Sequence, residues 1–400
     1  MELALLGADR ESISLAQAAV QLGHEIIWHG DTETAGENDL PGLSGEDQGD
    51  RWEVLLDGAV CDGVIVGRGA VSTDLRAEQL IQLVKNGVAV LTTFPVVDSV
   101  LSFYEIDMAR GEGGAVVHHY NPLVEQQPIL QQCALWVRQG HPELGAVEQI
   151  LWDRPLDERT CEQVLWHFAR DVELLQRVAG RLDRLGAHGS PEEQATYTGL
   201  SVQLLGESKT PVRWAVGPVE HSAWPRLVLV GQQGRLQVEF NESGRAVRME
   251  TSRAGNVQTS SLDPVPNTSA AVERFANAVA AGDSGSSTWP EALRAMELAD
   301  TIEISLRRGR MIDVHPQQLT EQLAFRGTMS AVGCAVLLVL PPVLVALGWL
   351  AEQAGLPVAG YWPHALLLLL VVFLTLQLVP KFFFSSPTAE EDRHGDLPTD

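Results

Sequence analysis

The first thirty-one residues constrain the fold more than any other stretch. Glu2-Leu3-Ala4-Leu5-Leu6-Gly7 is a short apolar run closed by glycine. Ser12 to Leu22 then sets Ile13, Ala16 and Val20, and Leu15, Ala18, Ala19 and Leu22, at helical spacing. Gly23 ends that helix, and Glu25 to Asp31 reads as a second strand closed by an acid. Strand, tight turn, helix, strand and acid is the order of a dinucleotide-binding βαβ unit. The turn departs from the fingerprint, which has glycine at three places. This chain offers Gly7, Asp9 and Ser12.

The following segments keep the alternation. Gly63 to Gly67 and Val88 to Leu91 are apolar strands, as expected of a parallel sheet covered on both faces. Asp74 to Lys85, with Asp74 as cap and Gly87 as stop, and Ser99 to Arg110 read as helices, Trp52 to Asp57 as a short one, and Ala115 to His119 as a strand. This is an α/β, Rossmann-like domain over residues 1–122. The pattern then changes. Val124 to Gln139 is helical, Gly145 to Trp152 strand-like, and Glu162 to Val178 a long helix before Gly180. Tyr197 to Ser252 reads as successive strands, with a hairpin where Leu227–Val230 and Arg235–Phe240 flank Gly231-Gln232-Gln233-Gly234. Helices close the segment at Ala270–Ala281 and Pro290–Arg307. Residues 123–314 are therefore expected to form an α+β domain with a large antiparallel or mixed sheet.

The last part differs in kind. Gly327 to Leu350 and Tyr361 to Val379 are runs of 24 and 19 residues without Lys, Arg, Asp or Glu. As helices they reach about 36 and about 28 Å, enough for a bilayer core of about 30 Å. Trp349, Tyr361 and Trp362 sit where interfacial aromatics belong. Residues 327–379 are expected to be a two-helix transmembrane hairpin, and 380–400 an acidic tail. Arg326 and Lys381 flank the spans and the connecting loop has neither Lys nor Arg, so the globular part and the tail are placed on the cytoplasmic side of the cell (inner) membrane.

Composition narrows the function. A net charge of −24 excludes non-specific nucleic-acid binding, which needs basic stripes. Cys61, Cys133, Cys161 and Cys334 are scattered without ligand spacing, read as reduced packing residues, and no metal site is expected. Met1 opens directly into a strand, so no signal peptide is expected, and the Asn-x-Ser/Thr triplets at Asn241 and Asn267 carry no glycan. Gly282-Asp283-Ser284-Gly285 is read as a linker, because a nucleophile motif needs its structural context. His118 and His119 alternate along one strand, so they face opposite sides.

The order of these pieces resembles the Gfo/Idh/MocA oxidoreductases, the glucose–fructose oxidoreductase and inositol dehydrogenase family. The likeness covers about residues 1–314. It rests on Asp62-Gly63-Val64-Ile65-Val66, Leu75 to Glu78, Gly87 and Val90-Leu91; on Thr93-Phe94-Pro95, where the family has Glu-Lys-Pro; and on His119-Tyr120-Asn121-Pro122, at the entry to the second domain. Gly140 to Gly145 with Val147, the helix ending at Gly180, Phe275 and the helix Glu291–Ser305 extend it. The resemblance implies a Rossmann domain holding NAD or NADP, a covering sheet domain through which copies pack as homo-oligomers, and chemistry on a sugar or polyol hydroxyl. It also places the family's catalytic lysine at Phe94, its histidine at Arg170 and its aspartate at Glu173. Phenylalanine transfers no proton and arginine is a poor base. His167 lies one turn earlier, where a register shift would restore a histidine.

The cofactor positions are Gly7, Asp9, Arg10, Asp31, Thr93 and Pro95. Asp9 is expected to cap the first helix and set a carboxylate where a diphosphate would sit, unless Arg10 compensates. Asp31 fits a ribose-binding acid and favours NAD over NADP, and equally fits a loop acid at a strand end. Two readings follow. One is a membrane-anchored, oxidoreductase-like ligand-binding or scaffolding module with eroded motifs and no cofactor. The other is an active NAD-dependent oxidoreductase with a rearranged site using His167 or His119.

Overall fold

The computed structural model describes residues 1–32, 49–58, 60–125, 127–189, 196–197, 199–219, 224–263 and 267–314. The two uncharged runs, Cys334 and the acidic tail lie outside them. Among the described residues no helix is long and apolar enough to cross a membrane.

The chain begins with β1 (Glu2–Leu6), α1 (Arg10–Gln21), β2 (Glu25–Gly30), β3 (Gly63–Val66), α2 (Thr73–Lys85), β4 (Val90–Thr93), α3 (Val100–Gly113) and β5 (Val117–Tyr120). All five strands are parallel, in the order β2-β1-β3-β4-β5. Alternation along β1 explains the layering. Leu3 and Leu5 pack with Leu15, Ala19 and Phe275 on one face, and Ala4 and Leu6 with Leu80 and Leu83 on the other. The strand order reverses between β1 and β3, and ligands of such sheets lie outside the carboxyl ends at that point.

The second set comprises α4 (Gln127–Gln139), β6 (Val147–Pro155), α5 (Cys161–Ala179), β7 (Leu182–His188), β8 (Ser201–Gly206), β9 (Val212–Gly217) and β10 (Arg226–Gly231). It continues with β11 (Gly234–Phe240), β12 (Ala246–Arg253), β13 (Asn256–Ser261), α6 (Asn267–Ala281), α7 (Trp289–Arg308) and β14 (Ile312–Asp313). Among the described residues nine strands form one mixed sheet, β13-β12-β11-β10-β6-β9-β8-β7-β14, in which only β6 and β9 pair in parallel. Trp152 and Trp214 stand opposite each other on those two strands, and both are fully buried. The expected hairpin forms between β10 and β11, with Gly231 facing Gly234.

Several local expectations are corrected. Ser72, not Asp74, caps α2, because its hydroxyl accepts from the Leu75 N–H while Asp74 lies inside the first turn. Residues 49–56 form a 3₁₀ segment kinked at Arg51. The first strand of the mixed sheet begins at Val147 rather than Gly145, since Gly145 pairs with His141 in a separate bridge.

Candidate functional site

The candidate site is built on the turn after β1. Gly7 has φ +80° and sits so close to Gly67 and Arg76 that a Cβ would lie 2.5 Å from the Gly67 carbonyl oxygen. Asp9 follows as the N-cap of α1. Its Oδ1 accepts from the N–H groups of Glu11 (2.9 Å) and Ser12 (2.8 Å), and the Ser12 hydroxyl accepts from the Asp9 N–H (2.8 Å). Its Oδ2 accepts from the Arg68 N–H after β3 (2.9 Å) and the Thr93 hydroxyl at the end of β4 (2.9 Å). One carboxylate thus joins three strand ends and takes two of the free donors of the helix start.

Asp31 lies just past β2 with φ +53°. Its carboxylate pairs with Arg76 of α2 and accepts from the Ala70 N–H (3.1 Å). Arg76 is fully buried and also donates to Gln79 Oε1 (2.7 Å) and the Arg68 carbonyl. This ion pair fills the space beside the crevice on the β2 side. Ser12 closes it further, since a Cβ on Gly67 would lie 2.4 Å from its hydroxyl.

Beyond Asp9 the crevice opens into a cavity of about 260 Å³ facing the mixed sheet. Arg10, Thr93, Phe94 and Pro95 line one wall, and Arg154, Trp166, His167 and Arg170 the other. The β11–β12 turn, Asn241 to Gly244, forms the mouth. Arg170 crosses the crevice to pair with Glu11 and lies over the Trp166 ring, 4.3 Å from its centroid. Burial raises the pKa of Glu11 and Arg170 opposes it. Burial lowers His167 to about 2, helped by Arg154 and Arg170, so it is neutral at physiological pH. Arg154 is held by Asp171, which also accepts from the Trp214 indole N–H (2.8 Å).

Glu173 is not in the cavity. It is buried, accepts from the Asn121 amide (2.8 Å), and lies 2.8 Å from His119 Nε2. Burial raises its pKa, but His119 and Asn121 outweigh that and the carboxyl titrates below its ordinary range. His119 also packs against Phe94 at 5.1 Å, and its Nδ1 is buried without a partner. His118 points the other way, toward Phe275 and Ser286.

The structure therefore brings Asp9, Arg10, Thr93, Phe94, Pro95, His167 and Arg170 to one cavity, with Gly7 beneath it. Asp31 and Glu173 stand outside its lining, each engaged by a buried cation or histidine. Sequence reasoning missed Arg68, Arg76, Arg154 and Trp166. Arg68 follows a strand end of a parallel sheet, which is the usable signal. Arg76 carries none, since an arginine on an amphipathic helix reads as exposed.

No protein-family model matches the chain, and no curated protein matches it by sequence. Solved structures match it well in fold. An oxidoreductase of Thermotoga maritima is 14% identical over 78% of this chain and 98% of its own, with a TM-score of 0.61. An oxidoreductase from Agrobacterium radiobacter, solved with NAD+, L-tartaric acid and magnesium, is 14% identical over 78% and 98%, with a TM-score of 0.58. The WlbA dehydrogenase of Bordetella pertussis, solved with NADH and UDP-GlcNAcA, is 16% identical over 78% and 98%, with a TM-score of 0.60. Residues up to the end of the mixed sheet thus share the two-sheet fold of these oxidoreductases.

Proposed function

We propose that this chain is a membrane-anchored, oxidoreductase-like module whose dinucleotide site has been replaced by internal contacts, and that it binds a ligand or partner without hydride transfer. The observation that carries this is the Asp9 carboxylate at the start of α1. A diphosphate at a helix N-terminus uses free N–H donors and a favourable dipole. Here Glu11 and Ser12 donate to Asp9, and a diphosphate would meet a like charge. The Asp31–Arg76 pair supports the same reading, because a ribose would have to displace a buried ion pair to reach that acid. Phe94, Arg170 paired to Glu11, and His167 with its pKa held down to about 2 leave the positions that the resemblance marks as catalytic without a base suited to a hydroxyl. The residues therefore do not fit NAD or NADP as the resemblance would have it bound.

The anchor is the two uncharged runs at 327–350 and 361–379, with the globular part and tail cytoplasmic by the Arg326 and Lys381 flanks. Homo-oligomers would pack through the nine-stranded sheet. The cavity itself favours the second reading, an active enzyme with a rearranged site, since Arg10, Thr93 and Pro95 still line an open space.

Titration of the full chain in detergent with NAD+, NADH, NADP+ and NADPH by calorimetry decides between them. No saturable binding up to millimolar concentration is expected, and micromolar affinity for any of the four would overturn the proposal. For topology, protease added to intact cells should leave the globular part uncut; digestion would refute the cytoplasmic placement.

A further inference from the structure

A second cavity, of about 320 Å³, lies on the other side of the α1 N-terminus and meets the crevice at Arg10, Glu11 and Glu242. Its walls are the exposed side of α1, the end of β5, the β11–β12 turn and the first turn of α6. Two cations enter it. Arg10 and Arg245 make no ion pair among the described residues, and the Arg245 Nε is buried without a hydrogen-bond partner. Arg245 is firmly placed, because its N–H and those of the turn converge on Asn241 Oδ1 at 2.9 to 3.1 Å. Gly244, at φ +71°, lets that turn lie against Pro122.

Tyr120 is the independent observation. It is 2% exposed, lines this cavity, and its hydroxyl makes no hydrogen bond among the described residues. A phenol so deeply placed normally finds a partner. Thr268 and Ser269, in the first turn of the fifteen-residue helix α6, add hydroxyls at the positive end of a helix dipole with no acid in that turn. Two acids also line the cavity. Glu11 is already bound by Arg170, and Glu242 is exposed at the rim. The unmatched charge in the interior is positive.

We propose that this cavity binds a phosphomonoester, with Arg245 and Arg10 on its oxygens and Tyr120 donating a hydrogen bond. Two guanidiniums and a hydroxyl approaching from three elements suit a tetrahedral anion better than a planar carboxylate, which one fork satisfies. Burial raises the Tyr120 pKa, so the hydroxyl remains a donor throughout the physiological range. Of the three proposed ligand groups only Arg10 also lines the dinucleotide crevice; Arg245, Tyr120 and α6 take no part in it.

The test is calorimetric titration of the full chain in detergent with inorganic phosphate and glycerol 3-phosphate, with succinate as the planar comparator. Saturable binding of the phosphates is expected. Arg245→Gln should weaken it about tenfold or more, as for loss of a charge-assisted contact. Tyr120→Phe should weaken it about fivefold. Arg253→Gln, at the end of β12 remote from the β11–β12 turn, should change nothing. Equal melting temperatures will show that the variants are folded. Competition by glycerol 3-phosphate against phosphatidate-containing vesicles separates a soluble ester from a lipid headgroup, and either supports the site if Arg245→Gln abolishes it. No saturable binding, binding undiminished in Arg245→Gln, or succinate binding as tightly as phosphate would overturn the proposal.

Discussion

Replacing Asp9 with alanine tests whether its carboxylate has become part of the scaffold. Four donors lose their acceptor: the N–H groups of Glu11, Ser12 and Arg68, and the Thr93 hydroxyl. Loss of the helix cap costs about 1 kcal/mol. The two bonds that tie the β3 and β4 ends to a charged acceptor are worth about 1.5 kcal/mol each at the low end of their range. We take the low end because these donors border an open cavity and water can reach them. The sum is about 4 kcal/mol before non-additivity, and about 3 kcal/mol is expected, a drop of about 6–10 °C in melting temperature. Asp9→Asn keeps the Oδ1 cap but turns an amide NH₂ toward the Arg68 N–H, so about half that loss is expected. Urea unfolding followed by tryptophan fluorescence measures both, since Trp152, Trp214 and Trp289 are fully buried. A loss under about 1 kcal/mol for Asp9→Ala, or none for Asp9→Asn, would refute a structural role for the charge. Nicotinamide titration of Asp9→Ala should remain flat, because Arg76 still holds Asp31.

Three further outcomes are expected. His118 is lowered to about 4, chiefly by burial with Arg274 adding, so the unfolded chain takes up its proton first. Its stabilising effect is complete above about pH 6.5 and falls away toward pH 4, with about 2 kcal/mol lost at pH 5; His118→Leu should flatten that part of a urea-midpoint profile. Asp171→Ala strips the buried Arg154 of its partner and the Trp214 indole of its acceptor, and should cost about 3–5 kcal/mol by the same unfolding measurement. Gly67→Ala drives a methyl to 2.4 Å from the Ser12 hydroxyl and 2.7 Å from the Gly7 carbonyl oxygen, and should cost about 2 kcal/mol, read as a lowered melting temperature.

Much of the architecture is legible in the residues, and the reasons are local. Continuous apolar strands alternating with 3.6-period helices give the parallel sheet, and the glycine pair around Gln232-Gln233 gives the hairpin. The Asp9 cap is legible too, because a short polar acceptor before an apolar helix has one dominant use. What distant chain segments bring to the site is not. Asp31 reads as a ribose acid or a loop acid until Arg76, 45 positions later, is seen beside it. Glu173 and His119 lie 54 positions apart, and nothing in either neighbourhood announces the pair. Trp166 and Arg154 enter the cavity from the second sheet and its helix, so their role depends on how that sheet covers the crevice.

The Glu11–Arg170 pair bears on how readily the crevice can open as well as on its chemistry. It joins the first helix of the parallel sheet to the long helix beneath the mixed sheet, across the gap a cofactor would enter. Asp9 and Asp31 are tied in the same way, each to partners on other elements. A glycine placed at position 9 alone would strand the donors now bonded there, and freeing Asp31 alone would leave Arg76 buried and unpaired. Each single substitution of this kind is destabilising by itself. Opening the crevice would therefore take several coordinated substitutions, because each tie is held from a different element.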